Sequence, residues 1–326
     1  MLMKQRFAAI WIGRKHIGRR PIDLRRALLI AALCLSACSK GEPTANSAPT
    51  EPNTNAEAQT ALHLSMKRVE RFFTPMGTPS PFDWLASHKE PGQTFDEYIA
   101  ERPTKPSKER SKIYILPLGK FTPRQLKAID VTAGYLSAFY GLPVEHLPAK
   151  RLSVPAAEMR ESTDKNSRQA KTGYILNDIL RPALPTDAAA LIAFTDIDLY
   201  PDESMSYVFG QASFENRVGV WSLYRLGSGA DAGTFLRRTL KIAAHETGHM
   251  FSMKHCTKYE CVMSGTNSLA ETDRRPIDAC PECMAKICWL SETSPAKRYE
   301  RLAEFCRKNG LIKDADDFAK KAAAAG

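Results

Sequence analysis

The chain has 326 residues, 43% of them hydrophobic and 25% charged, with a formal net charge of +10. That length and balance suit a folded body with a sizeable core and exclude a wholly disordered chain, while no spacing of roughly 20–50 residues recurs to suggest a solenoid. The charge is local: residues 1–37 carry eight Lys/Arg against one acid, leaving 38 basic and 35 acidic residues elsewhere, so electrostatics gives no reason to expect a nucleic-acid partner.

The basic start leads into "ALLIAALCLSAC", an apolar run ending in small residues. This is the three-part form of a secretory signal, and the run is too short to span a bilayer. Leu35-Ser36-Ala37-Cys38 also looks like a bacterial lipobox, with cleavage before a lipidated Cys38. The alternatives are an ordinary cleaved signal and an uncleaved anchor. A lipidated Cys38 would hold the protein on a membrane surface of the cell envelope, on the periplasmic side, and Ser39 after it favours the outer membrane. Residues 38–59 contain no aromatic or large aliphatic side chain and are expected to be a flexible tether. The folded body is then expected over residues 60–326.

Within that body, residues 60–71 read as a helix and the Pro-punctuated stretch 78–92 as largely irregular. Residues 112–119, "KIYILPLG", form a buried strand pattern. Thr122 as N-cap and Pro123 at the first helical position open a helix that runs to Gly141. A second helix is expected at 170–180. Three strand-like runs follow, "AALIAFTDIDLY", "SYVFGQAS" and "RVGVWSLYRL", and then the longest helical pattern, "TFLRRTLKIAAHETGHMF". Residues 295–325 read as a polar covering helix with a frayed end. Interleaved strands and helices predict an α/β or α+β fold with a mixed sheet, and α+β is the class expected here.

The chemistry concentrates in "HETGHMFSMKHC". Positions four apart share a helix face, so His245 and His249 point the same way and can share one metal ion, with Glu246 in reach of a metal-bound water. A catalytic zinc takes three protein ligands and keeps one open position. His255 is the natural third ligand, provided the chain folds back after the helix. A bare HExxH also arises by chance, in a buried helix whose histidines bond to backbone. Cys256, Cys261, Cys280 and Cys283 form C-x4-C…C-x2-C, which fits a closed four-thiolate zinc site; two disulfides are the alternative, since the signal leads to an oxidising compartment.

The extended pattern H-E-x-x-H-x-x-S-x-x-H-C-x4-C-x-M…C-x-x-C resembles the archaemetzincins, zinc metallopeptidases of the metzincin clan. Stretches such as "FDWLASHKEPGQTFDEYI", "FTDIDLYPDESMSYVFGQAS" and "LAETDRRPIDACPEC" extend the similarity over residues 82–289. The resemblance implies a metzincin-like fold with an active-site helix and a C-terminal zinc subdomain built on four cysteines. It implies His245, His249 and His255 as ligands of a catalytic zinc, Glu246 as general base, and Met263 as a packing platform beneath the metal. It implies a second zinc on the four cysteines and a peptide or protein substrate, with aminopeptidase-like cleavage as one form of the activity. One of the strands 207–213 and 218–223 is expected to pair with an extended peptide. Where the family carries glycine this chain has Ser252, at a turn that favours a positive φ, at a cost of about 1 kcal/mol or more. The competing functional reading is a catalytically silent, membrane-tethered zinc-binding or structural lipoprotein. Bland roles are expected for Asp196 and Asp198 (turn bonds), Arg274 and Arg275 (bracing the cysteine loop), and Trp221 and Tyr224 (packing).

Overall fold

The run Ala188–Thr195 is buried at every position, as a strand covered on both faces must be. The computed structural model describes residues 11–12, 54–162, 165 and 167–326; Cys38, the lipobox-like stretch before it and the expected tether as far as residue 53 lie outside them. In chain order the strands are β1 (Trp11–Ile12), β2 (Lys112–Pro117), β3 (Val144–His146), β4 (Met159–Glu161), β5 (Arg168–Lys171), β6 (Ala188–Thr195), β7 (Asp198–Tyr200), β8 (Gly210–Ala212) and β9 (Val218–Ser222). The main sheet is mixed, as the alternation of elements predicts, with order β1-β8-β9-β6-β2-β3. Strands β9, β6, β2 and β3 run parallel, and β8 turns back antiparallel to β9. A smaller sheet joins β4, β5 and β7.

Strand periodicity decides which core each side chain enters. Ile113, Ile115, Ile192, Phe194 and Trp221 face one cluster, while Tyr114, Leu116, Leu191, Ala193, Val218 and Val220 face the other. The helices are α1 (Thr54–Val69), α2 (Trp84–Ser87), α3 (Phe95–Ala100), α4 (Pro123–Tyr140), α5 (Thr172–Tyr174), α6 (Arg181–Ala183), α7 (Ala232–Met250), α8 (Leu269–Arg274), α9 (Pro281–Leu290), α10 (Pro295–Lys308) and α11 (Ile312–Ala325). Helices α4 and α7 cover the first face. A π-helical segment, Ile175–Leu180, runs between α5 and α6 and packs Ile175, Leu176 and Leu180 on the second. Thr122 and Gln125 close a capping box on α4, and Gly141 ends it at φ 70°.

Three expectations need correction. Helix α1 begins at Thr54, so the last residues assigned to the tether are helical. Residues 170–171 belong to β5, because Ala170 and Lys171 pair in parallel with Leu199 and Tyr200. The tail is two helices broken at Gly310 (φ 74°), not one with a frayed end: Tyr299, Leu302, Cys306 and Phe318 sit in the core.

A buried ionic cluster ties that tail to the cysteine region. Asp278 accepts hydrogen bonds from Arg298 Nη1 (3.3 Å) and Lys321 Nζ (2.8 Å), and Val262 N donates to its carbonyl (3.0 Å). Arg298 is fully buried. Asp278→Ala strands two cations, so a stability loss on the order of 3–5 kcal/mol is expected in urea denaturation. A loss within about 0.5 kcal/mol would show the cluster to be incidental.

Candidate active site

Asp231 caps α7 by accepting from Thr234 N, and the last two turns of that helix carry His245, Glu246 and His249, all nearly or fully buried. The chain then reverses sharply. Met253 N donates to Gly248 O (3.0 Å) and Ser252 N to His249 O (2.9 Å), and Ser252 takes the left-handed conformation at φ 65°. Its hydroxyl accepts from Thr104 N at 3.0 Å, a bond that glycine could not make and that offsets part of the strain. The turn returns His255 to the helix, with its ring centroid 5.1 Å from that of His245 and 5.0 Å from that of His249.

The three imidazoles are oriented alike. Nδ1 of His245 lies 2.8 Å from Val262 O, Nδ1 of His249 lies 2.6 Å from Met253 O, and Nδ1 of His255 lies 2.9–3.0 Å from both oxygens of Glu90. Carbonyls and carboxylates only accept, so each Nδ1 carries the proton and each Nε2 presents a lone pair. The Nε2 atoms of His245 and His249 are 2.8 Å apart, and that of His255 is buried without a partner. Burial holds the His245 imidazole down at about 3 and likewise holds His249 well below the usual histidine range. Neutral rings facing each other through bare lone pairs repel unless a cation lies between them. The three ligand atoms all fall within 4.8 Å of one another, and this donor set fits a zinc ion with an open position.

Beside the histidines, both oxygens of Glu246 are buried and unpartnered, and burial pushes its carboxyl well above the usual range. Strand β8 passes close by: a Cβ added at Gly210 would lie 3.2 Å from the Glu246 carboxyl carbon. Beneath the helix, Met263 is fully buried. A Cβ at Gly248 would approach its sulfur to 2.5 Å, so the glycine inside HETGH makes room for Met263.

The four cysteine sulfurs also lie within 4.8 Å of one another, with 3.5 Å between Cys256 Sγ and Cys280 Sγ. A zinc–sulfur distance of about 2.3 Å implies tetrahedron edges of roughly 3.8 Å, whereas a disulfide needs about 2.05 Å. None of the six described cysteines is in a disulfide, so the cluster fits one ion rather than two bridges. Cys261 Sγ further accepts from Met263 N and Cys280 N (3.4 and 3.2 Å). Arg275 bonds Glu260 inside this loop and Glu271 outside it.

The model of peptidase family M54 matches residues 125–288. Archaemetzincin-2 of Homo sapiens is 32% identical over 286 residues, covering 77% of this chain and 79% of the relative. The chain belongs to peptidase family M54. Archaemetzincin of Archaeoglobus fulgidus is 32% identical to this M54 chain over 176 residues, 54% of this chain and 98% of the relative. A solved structure of archaemetzincin from Methanopyrus kandleri is 28% identical, covers 57% of this chain and 98% of that one, and superposes with a TM-score of 0.48. By family, this M54 protein is a zinc metallopeptidase, an enzyme that hydrolyses peptides.

Several residues of the M54 site escaped the sequence reading. Glu90 lies 165 positions before its histidine partner, and no local pattern announces such a pair. Gln93, Tyr98 and Thr104 hold the turn after α7 from the same distant region. Gly248 was legible in principle, as a glycine amid strong helix formers. Among the residues given bland roles, Trp221 packs on Phe194, Asp198 forms a paired bond with Arg225 (2.8 and 2.6 Å), and Tyr224 is 45% exposed.

Proposed function

We propose that the protein hydrolyses peptide bonds at the His245/His249/His255 centre, with Glu246 moving the proton, and that a second zinc on the four cysteines holds the site's frame. The observation that carries this is the convergence of three Nε2 lone pairs beside an unpartnered carboxylate. Zinc, when bound, supplies Lewis acidity that polarises a carbonyl and acidifies water. Glu246 takes the proton from the attacking water as the new C–O bond forms, then delivers it to the leaving amine as the C–N bond breaks. A carboxyl with a raised pKa holds that proton better than an ordinary one. Its buried setting keeps bulk water from competing for it.

Of the two strands expected to take substrate, β9 is excluded because β8 and β6 occupy both its edges. Strand β8 remains, and its outer edge already carries an extended segment of the leader, Trp11–Ile12, in parallel register. An extended peptide added at that edge would run past Glu246. The lipobox supports cleavage before Cys38, a lipid anchor and an envelope location, and it would remove that leader segment. Aminopeptidase-like action rests on the family resemblance alone; free against N-acetylated peptides of one sequence test it.

The deciding experiment assays purified protein on a peptide library. Chelation is expected to abolish turnover and added zinc to restore it, with two zinc ions per chain in the active form. Absence of hydrolysis with both ions bound would favour the silent, tethered lipoprotein.

A further inference from the structure

His245 and His249 stand on a rigid helix, and backbone carbonyls of nearby chain fix their rings. His255 stands on a stretch without regular secondary structure, and its Nδ1 meets the Glu90 carboxylate through both oxygens. The contact is well shielded, with the histidine side chain 2% exposed and the glutamate 27%. The ring edge of His255 also meets Trp84, at 5.3 Å between centroids.

The same distant region grips the rest of the turn. Gln93 accepts from Lys254 N (3.1 Å) and donates to Ser252 O (3.4 Å), Tyr98 OH donates to Phe251 O (2.8 Å), and Glu101 pairs with Lys254 (2.5 Å). Every one of these residues on the gripping side precedes position 125, where the family match begins.

We propose that Glu90 is a positioning residue for the third imidazole, and that residues 84–104 form the outer half of the metal centre. This rests on His255 being a ligand. Glu90 fixes the tautomer that leaves Nε2 free, sets the ring plane, and spares the loop side chain the rotamer freedom it would otherwise lose on binding a metal. Zinc retention is thereby coupled to docking of the N-terminal layer.

The test uses the full chain, with zinc stoichiometry and affinity read by competition against a chromophoric chelator. Glu90→Ala is expected to weaken one zinc by about 10–100-fold while the other stays. Glu90→Gln, whose amide oxygen still accepts from Nδ1, should recover most of that loss. Gln93→Ala loosens the turn without touching the ring, and a change of less than about threefold there separates positioning from packing. Should Glu90→Ala fail to fold, Glu90→Asp, a carboxylate too short to reach, carries the comparison. Wild-type affinity in Glu90→Ala, or equal losses in Gln93→Ala, would overturn the proposal. His255→Ala keeping both zinc ions would instead sink the ligand assignment on which it stands.

Discussion

Glu246→Gln is expected to leave fold and zinc content intact while lowering kcat by roughly 10²–10⁴-fold. The side chain is fully buried, and β8 packs close against it: a Cβ at position 210 would lie 3.2 Å from its carboxyl carbon and 2.9 Å from Trp221 Cβ. An isosteric amide fits that slot, whereas alanine would open a cavity and confuse the result. The amide cannot accept the water proton, so the loss falls on the chemical step. Stability should hold or rise, because a buried carboxylate without a protein partner costs free energy that a neutral amide costs less. Paired measurements of kcat on one peptide and of Tm check both halves. Equal turnover in the two proteins would end the assignment of Glu246 as proton carrier.

What the sequence made legible was local. Helical spacing placed His245 and His249 on one face, Thr122-Pro123 and Gly141 marked both ends of α4, and short continuous apolar runs marked the sheet. Short-range rules suffice there because the interactions span only a few residues. They failed where tertiary pairing overrides local preference. Ala170 and Lys171 look helical, but the register with Leu199 and Tyr200 makes them strand. The tail looks polar, yet Arg298 and Lys321 are buried because Asp278 offsets their charge. Glu90 could not be found at all by spacing, since its partner is set by how the N-terminal layer docks. Ser252 was flagged as a departure from the family glycine; the bond from Thr104 that eases its strain is again a long-range one.

Cys280→Ser is the variant expected to damage the protein most. Cys280 is the N-cap residue of α9, its sulfur lies 3.5 Å from that of Cys256, and the Asp278 cluster sits two residues before it. A structural zinc site is worth on the order of 10–16 kcal/mol, more than the total stability of most domains, so removing one ligand should leave the chain largely unfolded or with a steeply lowered Tm. The loss should also reach the histidine centre. Cys256 directly follows His255, and Cys256 N donates to Met263 O (2.8 Å), so releasing the cluster frees the third ligand and its methionine platform together. Cys280→Ser is therefore expected to lose both zinc ions, whereas His255→Ala loses one. Cys288→Ser is the matched control. Its thiol is equally buried and pushed up to about 12 by that burial, but it lies outside the sulfur cluster, in the core with a contact to the Met284 sulfur at 3.7 Å, so a cost of about 1–3 kcal/mol and full zinc content are expected. Zinc analysis and urea denaturation on the three variants decide the matter. Two zinc ions and an unchanged Tm in Cys280→Ser would show that the four sulfurs do not frame the active site.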